Sequence, residues 1–236
     1  MSVRAGVILF VLALAGGCQS TSSPSGDGTP ENAPAQNGNT QSSGFLGDYS
    51  QLQPAPDREG VLLYLDRSAN LRPYTKLMFD PVQVIVAPNA DYQMPPEEPT
   101  RMADALLRSF RRALEPAYQI VSQPGPDVLR VRAAITGIKP AKPPTQAMDF
   151  LPFKAIYNVG VEAAGTAPRV AEMAAEMEVL DPSGKRVAAA TATRKGETSL
   201  QQGGQITWSD LQSINDYWAK DFRHRLDELR GVGGQG

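Results

Sequence analysis

The sequence predicts an α+β fold: a single domain whose mostly antiparallel sheet is covered by two amphipathic helices, following a signal peptide and a disordered tether. Three observations carry that prediction. Apolar residues recur at three- and four-residue steps in 99–117 and again in 207–230, the period of a helix with one buried face. Apolar and charged residues alternate in 128–138 and 169–181, the period of a strand. Asp181-Pro182-Ser183-Gly184 then supplies a turn, Pro fixing one φ and Gly accepting a positive one, which makes 169–195 an antiparallel hairpin.

Composition bounds the rest. At 236 residues, 41% hydrophobic and 20% charged, the chain can bury one ordinary core once its non-globular ends are subtracted. A net charge of -2 leaves no surplus of Lys and Arg to neutralise phosphates, so nucleic acid is not an expected partner. Cys18 is the single cysteine, and no intrachain disulfide can form.

Residues 1–17 read as a signal peptide, with Arg4 and the amino terminus ahead of a short apolar run from Ala5 to Leu14. That run falls short of the roughly 20 apolar residues that span a bilayer. Leu14-Ala15-Gly16-Gly17-Cys18 resembles the lipobox of bacterial lipoproteins, departing from it at Ala15, where Leu is usual. The resemblance implies a diacylglyceryl thioether on Cys18, cleavage before it, and acylation of the new amino group, palmitate being the fatty acid expected. Each buried CH₂ contributes about 0.8 kcal/mol, and two or three chains hold firmly where one does not. The alternative is an ordinary signal peptide cut near Ala15, leaving a free thiol. Gln19 and Ser20, with no Asp after the cysteine, resemble the outer-membrane sorting pattern and imply a domain facing the periplasm, the inner membrane and cell surface being the other addresses such an anchor serves.

Residues 18–43 form the lipidated tether. From Gln19 to Ser43 there is no Val, Ile, Leu, Met or aromatic residue to offset the entropy of ordering. Such a chain has a typical end-to-end distance of roughly 25–30 Å. The folded domain is expected over 44–230, with 231–236 a flexible tail. It opens with GFLGDYSQLQP, whose Phe45, Leu46, Tyr49 and Leu52 can clamp the chain entry onto a core. Val61 to Leu65 and Val82 to Val86 are β-rich, the second preceded by Asp80-Pro81 and closed by Pro88.

From Pro99 to Ala117, Met102, Leu106, Phe110 and Leu114 share a helical face, with Pro99 suited to the first turn and Arg101, Arg108 and Arg112 on the solvated side. A short strand at Tyr118–Val121 and a longer one at Val128–Ile138 follow. The latter places Leu129, Val131, Ala133 and Ile135 on a core face and Arg130 and Arg132 on a wet one. Lys139 to Thr145 breaks the pattern, and 148–165, interrupted by Pro152 and Gly160, has no assignable type. In 169–181 Ala, Glu and Met favour helix, but the alternation of Ala171, Met173, Ala175, Met177 and Val179 with Glu172, Glu176 and Glu178 predicts a strand, returned by Lys185 to Lys195. Thr207-Trp-Ser-Asp has the form of a capping box. Behind it Leu211, Ile214, Trp218, Phe222, Leu226 and Leu229 form one face of a long helix ending at Gly231 and expected to cover the sheet.

GFLGDYSQL at 44–52, AAEMEVLDPSGKRVAAA at 174–190, and WSDL followed by DYWAKDFRHRL within 208–226 resemble the bacterial lipoproteins grouped as domain of unknown function 3313. The resemblance covers nearly all of 44–230 and implies location and fold; it attaches no reaction, ligand or catalytic residue to these positions.

Catalytic chemistry is sparse. His224, the single histidine, lies within a helical turn of Asp221 and Glu228, the setting of a solvated face. No Gly-x-Ser-x-Gly elbow or glycine-rich phosphate loop is present, and no metal or cofactor is expected. Glu97-Glu98 fits a helix entrance favouring negative charge. The expectation is a non-catalytic binding or accessory module of the cell envelope, anchored in membrane lipid and contacting an envelope protein or another copy of itself. Its candidate surface is the apolar cluster Phe150, Leu151, Phe153, Ile156 and Tyr157, for which core packing is the alternative. Two further readings are an envelope hydrolase or small-ligand carrier with a carboxylate-based pocket, and a self-assembling structural lipoprotein.

Overall fold

The structure, a computed structural model, describes residues 42–85, 96–143, 168–200 and 206–232. All of them belong to the unit Gln36–Gly236. The elements in chain order are β1 (Gln53–Pro54), β2 (Val61–Leu65), β3 (Lys76–Phe79), β4 (Gln83–Val84), α1 (Glu98–Leu114), β5 (Gln119–Ile120), β6 (Val128–Ala141), β7 (Val170–Leu180), β8 (Arg186–Ser199) and α2 (Gln212–Arg230). Among the described residues the strands form one eight-stranded sheet in the order β1-β2-β8-β7-β6-β3-β5, with β4 also on β6. The centre, β2-β8-β7-β6, is antiparallel, while β3, β4 and β5 add a parallel edge. The fold is therefore α+β with a mixed sheet.

The parallel edge adjusts the strand boundaries. The run expected at 82–86 is the second half of a longer edge that begins at Lys76 and pairs with β6 from Val128 to Val131, then again at Ala134 and Ile135. Pro81 lacks the N–H that would carry the ladder across, so β3 and β4 are separate, which an edge position tolerates. Leu77 is fully buried in this strand, which had no clear alternation to announce it. At the other end, β6 does not stop at Ile138. It runs to Ala141, where Lys139, Pro140 and Ala141 pair with Glu172, Ala171 and Val170. Beyond Ile135 the register shifts by one residue, so Ile138 returns to the core side.

β7 is a strand despite its helix-forming composition. Lying between β6 and β8, it has both edges paired, and its alternation matches the two faces of the sheet. Directly opposed residues share a face, so Leu65, Ala188, Val179 and Val131 point one way and Tyr64, Ala189, Glu178 and Arg132 the other. The first face packs against both helices: Leu129, Val131 and Ile135 meet Met102, Leu106 and Phe110 of α1 and Ile214 and Leu226 of α2. The rings of Phe110 and Phe222, 5.5 Å apart, join the helices.

The capping-box prediction needs correction. Asp210 Oδ2 accepts from the Thr207 amide at 2.8 Å and from its hydroxyl at 2.8 Å, but the helix starts at Gln212, so the bonds close a turn ahead of α2. Only half of the box is made: the acid reaches back to the Thr207 amide as a capping box requires, but the Thr207 hydroxyl donates to that same carboxylate and leaves the Asp210 amide to the Thr207 carbonyl. At the far end Gly231 adopts φ +70°, and its amide and that of Val232 satisfy the carbonyls of Glu228 and Asp227 at 2.9 Å each.

Candidate functional site

Several residues singled out in the sequence lie outside the described residues: Cys18, and the cluster Phe150, Leu151, Phe153, Ile156 and Tyr157. His224 is 69% exposed, with Nδ1 3.6 Å from Glu228 Oε2, as expected for a solvated face. The Glu97-Glu98 pair is not symmetric. Glu98 is 6% exposed and its Oε1 accepts the Trp208 amide at 2.8 Å, so it ties the start of α1 to the turn before α2. Among the described residues no group of three or more His, Cys, Asp or Glu is placed to hold a metal ion.

The second face of the sheet departs from the sequence reading. It is partly covered by residues 43–52, which set Leu46, Leu52 and Ala189 into a small second core with Phe45, Tyr49, Leu62 and Tyr64 around it. Beneath this clamp lie two buried carboxylates, Glu176 at 1% and Glu178 at 3% exposed. Glu176 accepts the Ser43 amide at 2.8 Å and the Tyr49 hydroxyl at 2.5 Å. Burial, together with that carboxylate, raises the Tyr49 pKa above its ordinary value. Glu178 is held by Arg132 on one oxygen and by Arg186 Nε at 2.8 Å on the other. Arg186 also donates to the carbonyls of Asp48 and Leu46, while the Arg132 guanidinium lies 5.1 Å from the centre of the Phe45 ring. Gly44 and Gly47, at φ +87° and +72°, make the bends that bring those carbonyls round to Arg186. Glu178 is paired with two arginines and Glu176 accepts from two neutral donors of the chain entry, so the network reads as a fastening for that entry and not as a reaction centre. Its signal was present in the sequence: glutamates alternating on one predicted strand and arginines on its neighbour.

The helix side holds a pocket of about 250 Å³ between the sheet and α2. Its floor is Ala188, Ala190 and Ala192 of β8, with Ala175 and Ala133 beside them; Val61, Leu63 and Leu65 of β2 form one wall, and Trp218, Phe222 and Leu226 the roof. It exists because β8, the strand that α2 approaches, supplies methyl groups where the register would admit Leu or Val, so the side chains of α2 leave a gap over Ala188 to Ala192 and β2. Its size falls between the roughly 150 Å³ of an apolar void that takes benzene and the roughly 300 Å³ at which small-molecule sites begin. Two crossed ion pairs mark its rim, Arg58 to Asp221 at 2.7 Å and Arg225 to Asp57 at 2.5 Å, joining the β1–β2 loop to the helix. Glu228 lies 3.3 Å from Arg225 on the same rim. Sequence reasoning missed this pocket, since alanines in a strand show only as weak strand formers.

An α+β domain with a clamped chain entry on one sheet face and an apolar pocket under a helix on the other is the class defined so far. The chain belongs to the family described as Protein of unknown function (DUF3313), whose model matches residues 41–222. It is similar to the uncharacterized lipoprotein YdcL of Escherichia coli K12 and of E. coli O157:H7, each 22% identical over 182 residues, 76% of this chain and 82% of the relative. Among solved structures it resembles a dodecamer of a PelC point variant from Paraburkholderia phytofirmans, with 13% identity, 69% of this chain and 95% of that one covered, and a TM-score of 0.38. A DUF4136 family protein from Bacteroides thetaiotaomicron follows at 10% identity, 73% and 96% coverage, and a TM-score of 0.32. Among the described residues no helix is long and apolar enough to cross a membrane.

Proposed function

We propose that this protein is an envelope lipoprotein, anchored through Cys18 in the outer membrane, whose periplasmic domain is a non-catalytic binding module with its site in the apolar pocket beneath α2. The pocket is the observation that carries the reading. It is lined mostly by hydrocarbon, and the carboxylates on its rim, Asp221 and Glu228, are engaged by Arg58 and Arg225. Both carboxylates already accept from guanidinium groups, so neither is positioned as a free acceptor aimed into the pocket. The small-ligand carrier reading gains from this arrangement, and the carboxylate hydrolase reading loses by it. The anchor is supported by the lipobox-like Leu14 to Cys18 and by the designation of the E. coli relatives as lipoproteins.

Two measurements test the proposal together. Radiolabelled palmitate should enter the full chain in cells and not its Cys18→Ala form, with the label in outer-membrane fractions. An environment-sensitive apolar dye, N-phenylnaphthylamine, should bind the full-length Cys18→Ala chain at one site and be excluded by Ala190→Phe. Failure to take up label removes the anchor; failure to bind the dye removes the binding module.

A further inference from the structure

Building on the binding-module reading, we infer that the pocket receives the acyl chain of a single-chain phospholipid whose zwitterionic headgroup sits on the Asp57-Arg58/Asp221-Arg225 rim. Three features select this occupant. The first is the absence of hydrogen-bonding groups on the floor. The backbone of β8 is paired on both edges, to β2 and to β7, and the side chains over it are methyls. An inserted peptide would leave its own N–H and C=O groups buried without partners, at a cost a polymethylene chain does not incur. The second is shape. The floor from Ala188 to Ala192 is four strand steps, roughly 13 Å, a length matched by an extended alkyl chain of about ten carbons.

The third feature is the rim, where charge of both signs stands next to hydrocarbon. Arg58 Nε and Arg225 Nε are buried and make no hydrogen bond among the described residues, although their other nitrogens are used. Carboxylate oxygens stand 3.6 Å and 3.8 Å from them, too far to accept. Two spare N–H donors suit a phosphate diester, which accepts from guanidinium groups in a directional way. The neighbouring carboxylates Asp57, Asp221 and Glu228 outnumber the two arginines and leave negative charge for an ammonium group. A purely anionic head would meet that excess as repulsion. The ion pairs also close the gap between the β1–β2 loop and α2, so a lipid entering there exchanges protein ion pairs for headgroup ones.

The experiment uses the full-length chain with Cys18→Ala, made without acyl groups, and with Trp208→Phe so that Trp218 in the pocket roof reports alone. Lysophosphatidylethanolamine with a twelve-carbon chain is titrated below its micelle concentration and followed by Trp218 fluorescence and native mass spectrometry. The expected result is one lipid per chain, binding weakened at least tenfold by Ala190→Phe and by the milder Ala175→Val, and at least fivefold by Arg58→Ala. Thermal unfolding of each variant separates a filled pocket from a misfolded chain. Lauric acid binding as tightly as the lysophospholipid would overturn the headgroup assignment. A Trp218 change that follows protein concentration without lipid would replace the lipid by a second copy. If N-phenylnaphthylamine binds and no lysophospholipid does, the lipid inference falls and the binding module stands; if neither binds, both fall.

Discussion

Glu178 shows how much one side chain can hold when its surroundings are dry. Its two oxygens divide between Arg132 and Arg186, and Arg186 in turn carries the carbonyls of Leu46 and Asp48. Glu178→Ala strands two cations and loosens the clamp; removing one partner of a buried pair costs about 3–5 kcal/mol, and the partial exposure of both arginines lowers the expected loss to about 2–4 kcal/mol. Chemical denaturation should show it as a lowered midpoint. Tyr49→Phe removes a single hydroxyl donated to Glu176, and it leaves that buried acceptor one partner short, so the expected loss is about 1–3 kcal/mol. A combined loss smaller than the sum would show that both residues act through the same clamp. Glutamates were legible as strand residues from their alternation; their burial was not, because it depends on residues 43–52 lying over them.

At the scale of elements, α2 is fastened near its end. Tyr118, just before β5, donates to Asp227 at 2.5 Å; Arg223 reaches the same carboxylate at 2.5 Å and the carbonyl of Ala113 at the end of α1 at 3.0 Å. Burial and the adjacent Asp227 raise the Tyr118 pKa above its ordinary 10.0. For Asp227 burial acts upward, but the Tyr118 hydroxyl and Arg223 outweigh it and hold the carboxyl below its ordinary 3.8. The signs differ in consequence. The tyrosine contribution is complete below pH 10.0 and disappears as pH rises through the folded value above it; the aspartate contribution is complete above pH 3.8 and disappears as pH falls through the folded value below it. Urea midpoints should therefore be level near neutrality and fall beyond both limits, and Tyr118→Phe should flatten the alkaline fall. The helix positions were legible from their stripes. The Tyr118–Asp227 tie was not, since the partners are separated by 109 residues.

Across the whole molecule, one sheet serves two layers of unequal depth. The helix side holds the larger core and the pocket; the other side holds the thin clamp. Removing residues 42–52 uncovers the second layer and both buried carboxylates, and the expected loss is about 4–6 kcal/mol, with the remaining unfolding transition still single because the helix-side core is untouched. Ala190→Val, which adds methyls over a gap, is expected to raise stability by about 0.5–1 kcal/mol while narrowing the pocket. Thermal unfolding of the two variants in parallel checks these opposite directions.

Periodicity, turn chemistry and composition in the sequence determined the order of the main helices and strands, the hairpin at Asp181 to Gly184 and which face of each long strand carries apolar residues, because those are local properties of neighbouring residues. Tertiary structure decided the parallel strand beginning at Lys76, the extension of β6 through Pro140, the burial of Glu176 and Glu178, and the pocket over Ala188 to Ala192. Each of these depends on what a distant segment places alongside: a partner strand that tolerates Pro81, a chain entry folded back over two acids, a helix held off a floor of methyl groups. Residue spacing encodes the first kind of information directly, whereas the second arises only when the sheet register fixes which side chains meet.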